Sequence, residues 1–214
     1  MKSPFFKFLC LGFIVVIFAC GDSPIKGVED LFSGYQSAIH KEQYGRAAGM
    51  IDQKSIEYYE QIIKLAKETE RKKLGAVNFN SKLIALALRQ EFSKKELTEL
   101  TGRQVFAFAA ENHLNPMDSI QQYTIAKTVM ESGLEKAVSR MKRKGELTDS
   151  YLKFIKEEGI WKMNFASVMN EENDSKTSIV LSGIRDENKR ALKIVESISE
   201  KRIKRNIWVP ANRW

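Results

Sequence analysis

Residues 151–165 read YLKFIKEEGIWKMNF, and this stretch decides the class of fold. Its second half alternates apolar and polar side chains: Trp161, Lys162, Met163, Asn164 and Phe165. Such alternation is typical of a strand with one buried and one solvated face. A second strand precedes it at 151–156, and Gly159 can take the left-handed conformation that a short hairpin loop requires. The sequence therefore predicts an antiparallel hairpin.

Two more strands are predicted between Pro116 and this hairpin. Tyr123, Ile125 and Val129 fit an alternating strand, and residues 135–144 could pair with it across a turn at Ser132–Gly133. Together with the hairpin, these segments form an antiparallel meander.

Ahead of Pro116 the apolar residues recur with a helical period. The first predicted helix carries one stripe of apolar side chains: Val28, Leu31, Phe32, Tyr35, Ala38 and Ile39. A shorter helix follows over 44–51, and a third spans about 55–73, with Tyr59, Ile62, Ile63 and Ala66 facing inward. Residues 83–88 are apolar on every side, which predicts a buried segment.

Two later patterns complete the helical half of the chain. Ser93 and Glu96 have the spacing of a capping box, and another helix is expected after Gly102. From Arg185 the helical period returns near the C-terminus, with Ala191, Leu192, Val195 and Ile198 inward. Helices followed by a meander predict an α+β fold, with N-terminal helices packed on an antiparallel sheet and an additional C-terminal helix.

The N-terminus predicts export and membrane attachment. Lys2 and Lys7 precede a 12-residue apolar run that ends at Ala19. This run is too short for a stable membrane span, and Cys20 follows it directly. The motif Ile17-Phe18-Ala19-Cys20 resembles the lipobox of a bacterial lipoprotein. We therefore expect a signal peptide over 1–19, a lipidated Cys20 with a tether over 20–24, and one α+β domain over 25–214. The alternative is an uncleaved anchor in which Cys20 is an ordinary apolar residue.

The cysteines and the net charge limit what this domain can be. Cys10 and Cys20 are the two cysteines of the chain, so residues 21–214 contain neither a disulfide nor a cysteine-ligated metal site. Loss of Lys2 and Lys7 lowers the net charge from +8 to +6. An exported protein seldom meets nucleic acid, and we expect no nucleic-acid partner.

The C-terminal tail combines a basic run with tryptophans. Lys201, Arg202, Lys204 and Arg205 precede Trp208 and Trp214. One interpretation is a second contact with anionic lipid or an acidic partner, since tryptophan and basic residues both favour a membrane surface. The other interpretation is that Trp208 folds back onto the domain core.

The hairpin also carries a family resemblance. Residues 154–162, FIKEEGIWK, resemble the F-x-K-E-x-G-x-W-K pattern of late strands in the nuclear-transport-factor-2-like superfamily, and residues 44–59 resemble its second and third helices. The resemblance implies a sheet curved around a helix, often with a conical pocket. The superfamily includes isomerases, dehydratases and non-enzymatic binding domains, so it does not assign a function. A longer helical region over 73–116 and the charged C-terminal helix depart from its compact pattern.

Candidate catalytic residues follow from the chemistry such a pocket would need. A pocket isomerase uses a desolvated carboxylate and a tyrosine or acid donor, and Asp52, Tyr58, Tyr59 and Tyr123 are of the right types. Each has a structural alternative: Asp52 could cap a helix, and the tyrosines could be core residues with a hydroxyl at the rim.

The histidines give no further catalytic signal. His40 and His113 are both expected near helix ends, and no H-x-x-x-H or H-x-H spacing occurs, so we expect no metal site and no cofactor. The sequence favours a lipid-anchored, non-catalytic envelope protein that binds a small molecule, such as an apolar ligand, or a protein partner. A pocket enzyme of the isomerase or dehydratase type and a structural component of envelope assembly are the alternatives.

Overall fold

The computed structural model of the chain describes residues 23–115, 120–167 and 186–214. The predicted signal peptide, Cys20 and Pro116 lie outside these residues. Helices fill the first described range. They are α1 (Pro24–His40), α2 (Tyr44–Ala48), α3 (Gln53–Glu68), α4 (Arg71–Ala76), α5 (Phe79–Glu91), α6 (Lys94–Glu99) and α7 (Gly102–Glu111).

The second described range holds a four-stranded antiparallel sheet. Its strands lie in the order in which they occur: β1 (Tyr123–Glu131), β2 (Lys136–Arg143), β3 (Glu146–Glu157) and β4 (Ile160–Asn164). Helix α8 (Glu187–Ser199) follows in the third range. The predicted α+β class, with helices first, a meander next and a C-terminal helix last, is confirmed.

The predicted hairpin is present in its expected register. Glu158 and Gly159 form its loop with φ values of +50° and +80°, the left-handed pair of a tight two-residue hairpin turn. Trp161 and Met163 are buried. Phe165 is also buried but comes after the last residue of β4, so the alternation continues past the end of the strand.

Side-chain hydrogen bonds cap the starts of α3 and α6. Asp52 accepts from the Ser55 backbone N–H at the start of α3, as the capping interpretation predicted. Ser93 and Glu96 form the predicted capping box at the start of α6. At both sites, a backbone N–H group that has no acceptor within its helix is thereby hydrogen-bonded.

The predicted boundary of the third helix was wrong. Instead of running to residue 73, α3 ends at Glu68, and Thr69 has an extended backbone. The carbonyls of Leu65, Ala66 and Thr69 accept hydrogen bonds from the buried guanidinium of Arg89. That side chain comes from α5, so local periodicity could not reveal this helix end.

The second helix is also shorter than predicted, because the chain joins the sheet beyond it. α2 ends at Ala48, and Ile51 forms a parallel bridge with Met163 on the edge of β4. The Asp52 N–H donates to the Met163 carbonyl at 3.0 Å, and the Met163 N–H donates to the Met50 carbonyl at 2.9 Å.

The core lies between the inner face of the sheet and the helices. α1 crosses that face and contacts β1 and β4. A Cβ atom at Gly27 would lie 2.7 Å from Cδ1 of Trp161, so glycine is what lets the helix approach this ring. α5 is buried on nearly all sides, as predicted for residues 83–88, and contacts α3 and α8.

The C-terminal tail packs back onto the helices, as the second interpretation predicted. The Ile207 carbonyl accepts from Arg89, and Lys204 Nζ donates to the Arg89 carbonyl at 2.9 Å. Trp208 and Trp214 are half-buried against the core, and Lys204 lies 5.1 Å from the centre of the Trp214 ring.

Candidate functional site

A cavity of about 390 Å³ opens where the C-terminal ends of α1 and α7 meet. His40 and Glu42 line it from the end of α1, and His113 and Asn115 from the end of α7. Gln121 closes a further side, just before β1. The cavity therefore brings together both histidines of the chain, which lie 73 positions apart in the sequence.

The floor of the cavity is buried and polar. Asn115 is 4% exposed, and its Oδ1 accepts a hydrogen bond of 2.8 Å from the hydroxyl of Tyr59. Its Nδ2 has no acceptor within the described part of the chain. A buried donor without an acceptor costs free energy, which a bound molecule or a water could recover. Tyr35, 2% exposed, supplies an aromatic surface beside it.

The end of α1 shapes the first side of the rim. The Gln43 N–H donates to the Ala38 carbonyl at 2.8 Å, and the Glu42 N–H to the Ile39 carbonyl at 3.1 Å. These two bonds form a Schellman motif, whose left-handed position is usually glycine. Here that position is Glu42, with φ +56°.

The end of α7 repeats the same motif on the opposite side. The Leu114 N–H donates to the Ala109 carbonyl at 2.8 Å, and the His113 N–H to the Ala110 carbonyl at 3.3 Å. His113 takes the left-handed position with φ +54°. At both helix ends a side chain that lines the cavity therefore stands where glycine would be least strained.

A reciprocal clamp holds the third side of the cavity against α1. Nε2 of Gln36 donates to the carbonyls of Ile120 and Tyr123, at 2.8 and 2.9 Å. Nε2 of Gln121 donates in return to the Gln36 carbonyl at 3.3 Å. These bonds fix the position of the segment before β1 relative to the end of α1.

The carboxylate candidate lies away from the cavity. Asp52 is 1% exposed, and its carboxylate accepts from the backbone and the hydroxyl of Ser55 at the start of α3. Burial raises the pKa of this carboxyl above its ordinary value, while the bonds from Ser55 act in the opposite direction. The position is that of a helix cap within the core.

The tyrosine candidates do not converge on the cavity, although the rings of Tyr58 and Tyr59 contact each other edge to face, with their centres 5.2 Å apart. The Tyr58 hydroxyl lies 2.9 Å from that of Ser81, and burial raises its pKa. Tyr123 is 7% exposed beneath the guanidinium of Arg143. Tyr59 is buried and does not line the cavity, but its hydroxyl donates to the lining residue Asn115.

The histidines were placed correctly near helix ends, but sequence reasoning did not bring them together. His40 is the last residue of α1, and His113 follows α7 by two positions. A faint signal was available, because each helix is followed by a polar residue where a terminating glycine is common. Within the described ranges, no three His, Cys, Asp or Glu side chains form a group able to hold a metal ion.

Comparison with known proteins finds no matching family model, no matching curated protein and no matching solved structure. The nuclear-transport-factor-2-like resemblance stays a prediction. No helix in the described part of the chain has the length and apolar character needed to cross a membrane.

Proposed function

We propose that the domain binds a small molecule in the cavity between the ends of α1 and α7, and that a lipidated Cys20 holds it at the bacterial cell envelope. The observation that carries the binding proposal is the convergence of two Schellman motifs with Glu42 and His113 at their left-handed positions. Strained backbone of this kind is enriched at functional sites, and here it occurs at two residues that line one cavity.

The lining favours a ligand with polar groups and some apolar surface. Imidazole, carboxamide and carboxylate groups come from His40, His113, Asn115 and Glu42, and the Tyr35 ring adds apolar surface. Small-molecule sites commonly combine a few placed polar groups with aromatic walls in this way. The volume of about 390 Å³ falls within the range of such sites.

Replacement of the strained residues by glycine tests this proposal. His113→Gly and Glu42→Gly relieve a left-handed backbone, so folding stability should stay unchanged or rise by up to ~1 kcal/mol. Glu200→Gly is a matched control, because Glu200 ends α8 with φ +52° and does not line the cavity. Loss of binding by the first two variants alone supports the site.

The ligand can be sought by native mass spectrometry of the purified protein and by a thermal-shift screen of metabolites. A compound that binds the wild type and the Glu200→Gly variant, but binds His113→Gly at least ~10-fold more weakly, fits the proposal. Equal binding by all variants contradicts it. Chemical conversion of the bound compound over time would instead support the pocket-enzyme alternative.

Membrane attachment has a separate test. Cells that express the wild type or Cys20→Ser are fed a clickable fatty acid, and the protein is then examined for label. Label on the wild type alone supports lipidation at Cys20, and label on both contradicts it.

A further inference from the structure

The cavity lies at the C-terminal ends of two helices, and this position determines the sign of its electrostatic potential. Ile39 and His40 line it from the last turn of α1, and Ala110 and His113 line it from the end of α7. The aligned peptide dipoles of a helix place about half a negative elementary charge at its C-terminus. Two such ends that meet at one cavity favour a positively charged group in it.

The lining side chains add charge of the same sign. Among the described residues that line the cavity, Glu42 is the one acidic side chain, and none is lysine or arginine. Lys41 precedes Glu42 in the chain but is not part of this lining. The imidazoles of His40 and His113 oppose the negative charge only when they are protonated, which for histidine usually occurs as pH falls from 8 to 5. At higher pH, the carboxylate and the helix ends together favour a cation.

The floor of the cavity requires a different group on the ligand. Asn115 lines the cavity, and its Nδ2 is a buried donor with no acceptor in the described part of the chain. Its Oδ1 already accepts from the Tyr59 hydroxyl. An acceptor oxygen on a bound molecule would satisfy this donor. An uncharged carbonyl oxygen suits this position, because it adds no negative charge to a cavity that is already negative.

Most of the remaining lining is apolar. It consists of Tyr35, Ile39, Tyr44 and Ala110, together with the polar side chain of Gln121. Tyr35 is buried and Tyr44 is half-buried. Aliphatic and aromatic surface of this kind favours a hydrocarbon segment in the ligand, and aromatic rings also attract cations.

We propose that this cavity binds a small organic cation, in which a short hydrocarbon segment joins an ammonium or guanidinium group to an acceptor oxygen. The inference rests on the proposed small-molecule function of the same cavity. The cationic group lies near Glu42 and the two helix ends, and the oxygen accepts from Nδ2 of Asn115. An anion would instead face the Glu42 carboxylate and both helix ends, with no lysine or arginine in the described lining to balance them.

Three amides of equal length test the sign of the charge. δ-Aminovaleramide, hexanamide and adipamate differ at one end, which is an ammonium, a methyl or a carboxylate group. The full chain is labelled with ¹³C at histidine, purified with a tag free of histidine and placed in phosphatidylcholine nanodiscs. His40 and His113 are the two histidines of the chain and both line the cavity, so each imidazole NMR signal reports on it. Titrations at about pH 8 give the Kd of each amide.

The ammonium compound should bind best. We expect δ-aminovaleramide to bind at least ~fivefold more tightly than hexanamide, because each helix end contributes about two- to fivefold. Adipamate should bind more weakly than hexanamide. Pentylammonium keeps the charge but has no carbonyl, and it should bind at least ~fivefold more weakly than δ-aminovaleramide, because the Asn115 donor is then left without an acceptor.

Two variants locate the cation within the protein. Glu42→Gln should weaken binding of δ-aminovaleramide about threefold and leave binding of hexanamide unchanged. Glu29→Gln is the matched control and should change neither. It removes the same charge from an exposed position on α1, about 16 Å along the helix from His40, which is about two Debye lengths at physiological salt. Equal effects of the two variants would place the cation outside the cavity and overturn the proposal.

The outcomes separate this inference from the proposed function. If hexanamide or adipamate binds as tightly as δ-aminovaleramide, the cavity is a small-molecule site but the ligand is not a cation, and the inference is wrong. If none of the four probes shifts the histidine signals, the inference is also wrong. The metabolite screen then decides independently whether the cavity binds any small molecule.

Discussion

Arg89 should be among the residues on which folding stability depends most strongly. Arg89 lies on α5, and its side chain is 0% exposed. Its guanidinium donates four hydrogen bonds, all of them to backbone carbonyls. Three of these belong to the end of α3, at Leu65, Ala66 and Thr69, and the fourth to Ile207 in the C-terminal tail. One buried cation therefore joins the end of a helix to the tail of the chain.

The magnitude follows from opposing contributions. Burial lowers the pKa of Arg89 to about 10, which corresponds to ~3 kcal/mol of solvation lost by the charged form. Four hydrogen bonds from a charged donor, at ~1.5–3 kcal/mol each, outweigh that loss. Arg89→Met keeps much of the apolar stem but removes a donor from four carbonyls, of which that of Leu65 still accepts from the Thr69 N–H. We expect the free energy of unfolding to fall by ~3–5 kcal/mol.

Urea unfolding followed by tryptophan fluorescence measures this loss, and limited trypsin digestion reports release of the tail. Arg46→Met, at an exposed position on α2, is the matched control and should change stability by less than ~0.5 kcal/mol. Arg89→Lys should fall between wild type and Arg89→Met, because it keeps the charge with fewer donors. If Arg89→Met costs less than ~1 kcal/mol, water or relaxed backbone geometry satisfies the carbonyls and the reasoning is refuted.

The remaining predictions concern the sheet and the buried carboxyl. Trp161→Ala should cost ~3–5 kcal/mol in urea unfolding, because it leaves a cavity beneath α1; an effect no larger than that of Lys162→Ala would contradict the strand register. Gly27→Ala should destabilise by ~1–3 kcal/mol despite the helix propensity of alanine, and Trp161→Phe should relieve part of that loss in a double mutant. The raised pKa of Asp52 means that, above the ordinary value of 3.8, the folded state binds more protons than the unfolded state. The contribution of this group to the free energy of unfolding therefore falls as pH rises through its folded pKa. Unfolding curves measured over a series of pH values should show this fall in the wild type and not in Asp52→Asn.

Much of the fold could be predicted because the signals were local. The alternation from Trp161 to Met163 depends on the two-residue period of a strand, and the glycine at 159 suits the turn that its neighbours require. Ser93 and Glu96 act on backbone groups within one helical turn, so their spacing alone predicts the start of α6. Each of these features is determined by residues a few positions apart.

The tertiary structure alone decided where α3 ends and where the cavity lies. At the end of α3, the backbone carbonyls accept hydrogen bonds from the guanidinium of Arg89 on α5. Arg89 lies 20 positions after Thr69 in the chain. The cavity requires the ends of α1 and α7 to meet, which depends on how the helices pack on the sheet and not on the residues around His40 or His113. A sequence displays the preferences of neighbouring residues, whereas burial and convergence depend on distant segments that become neighbours only on folding.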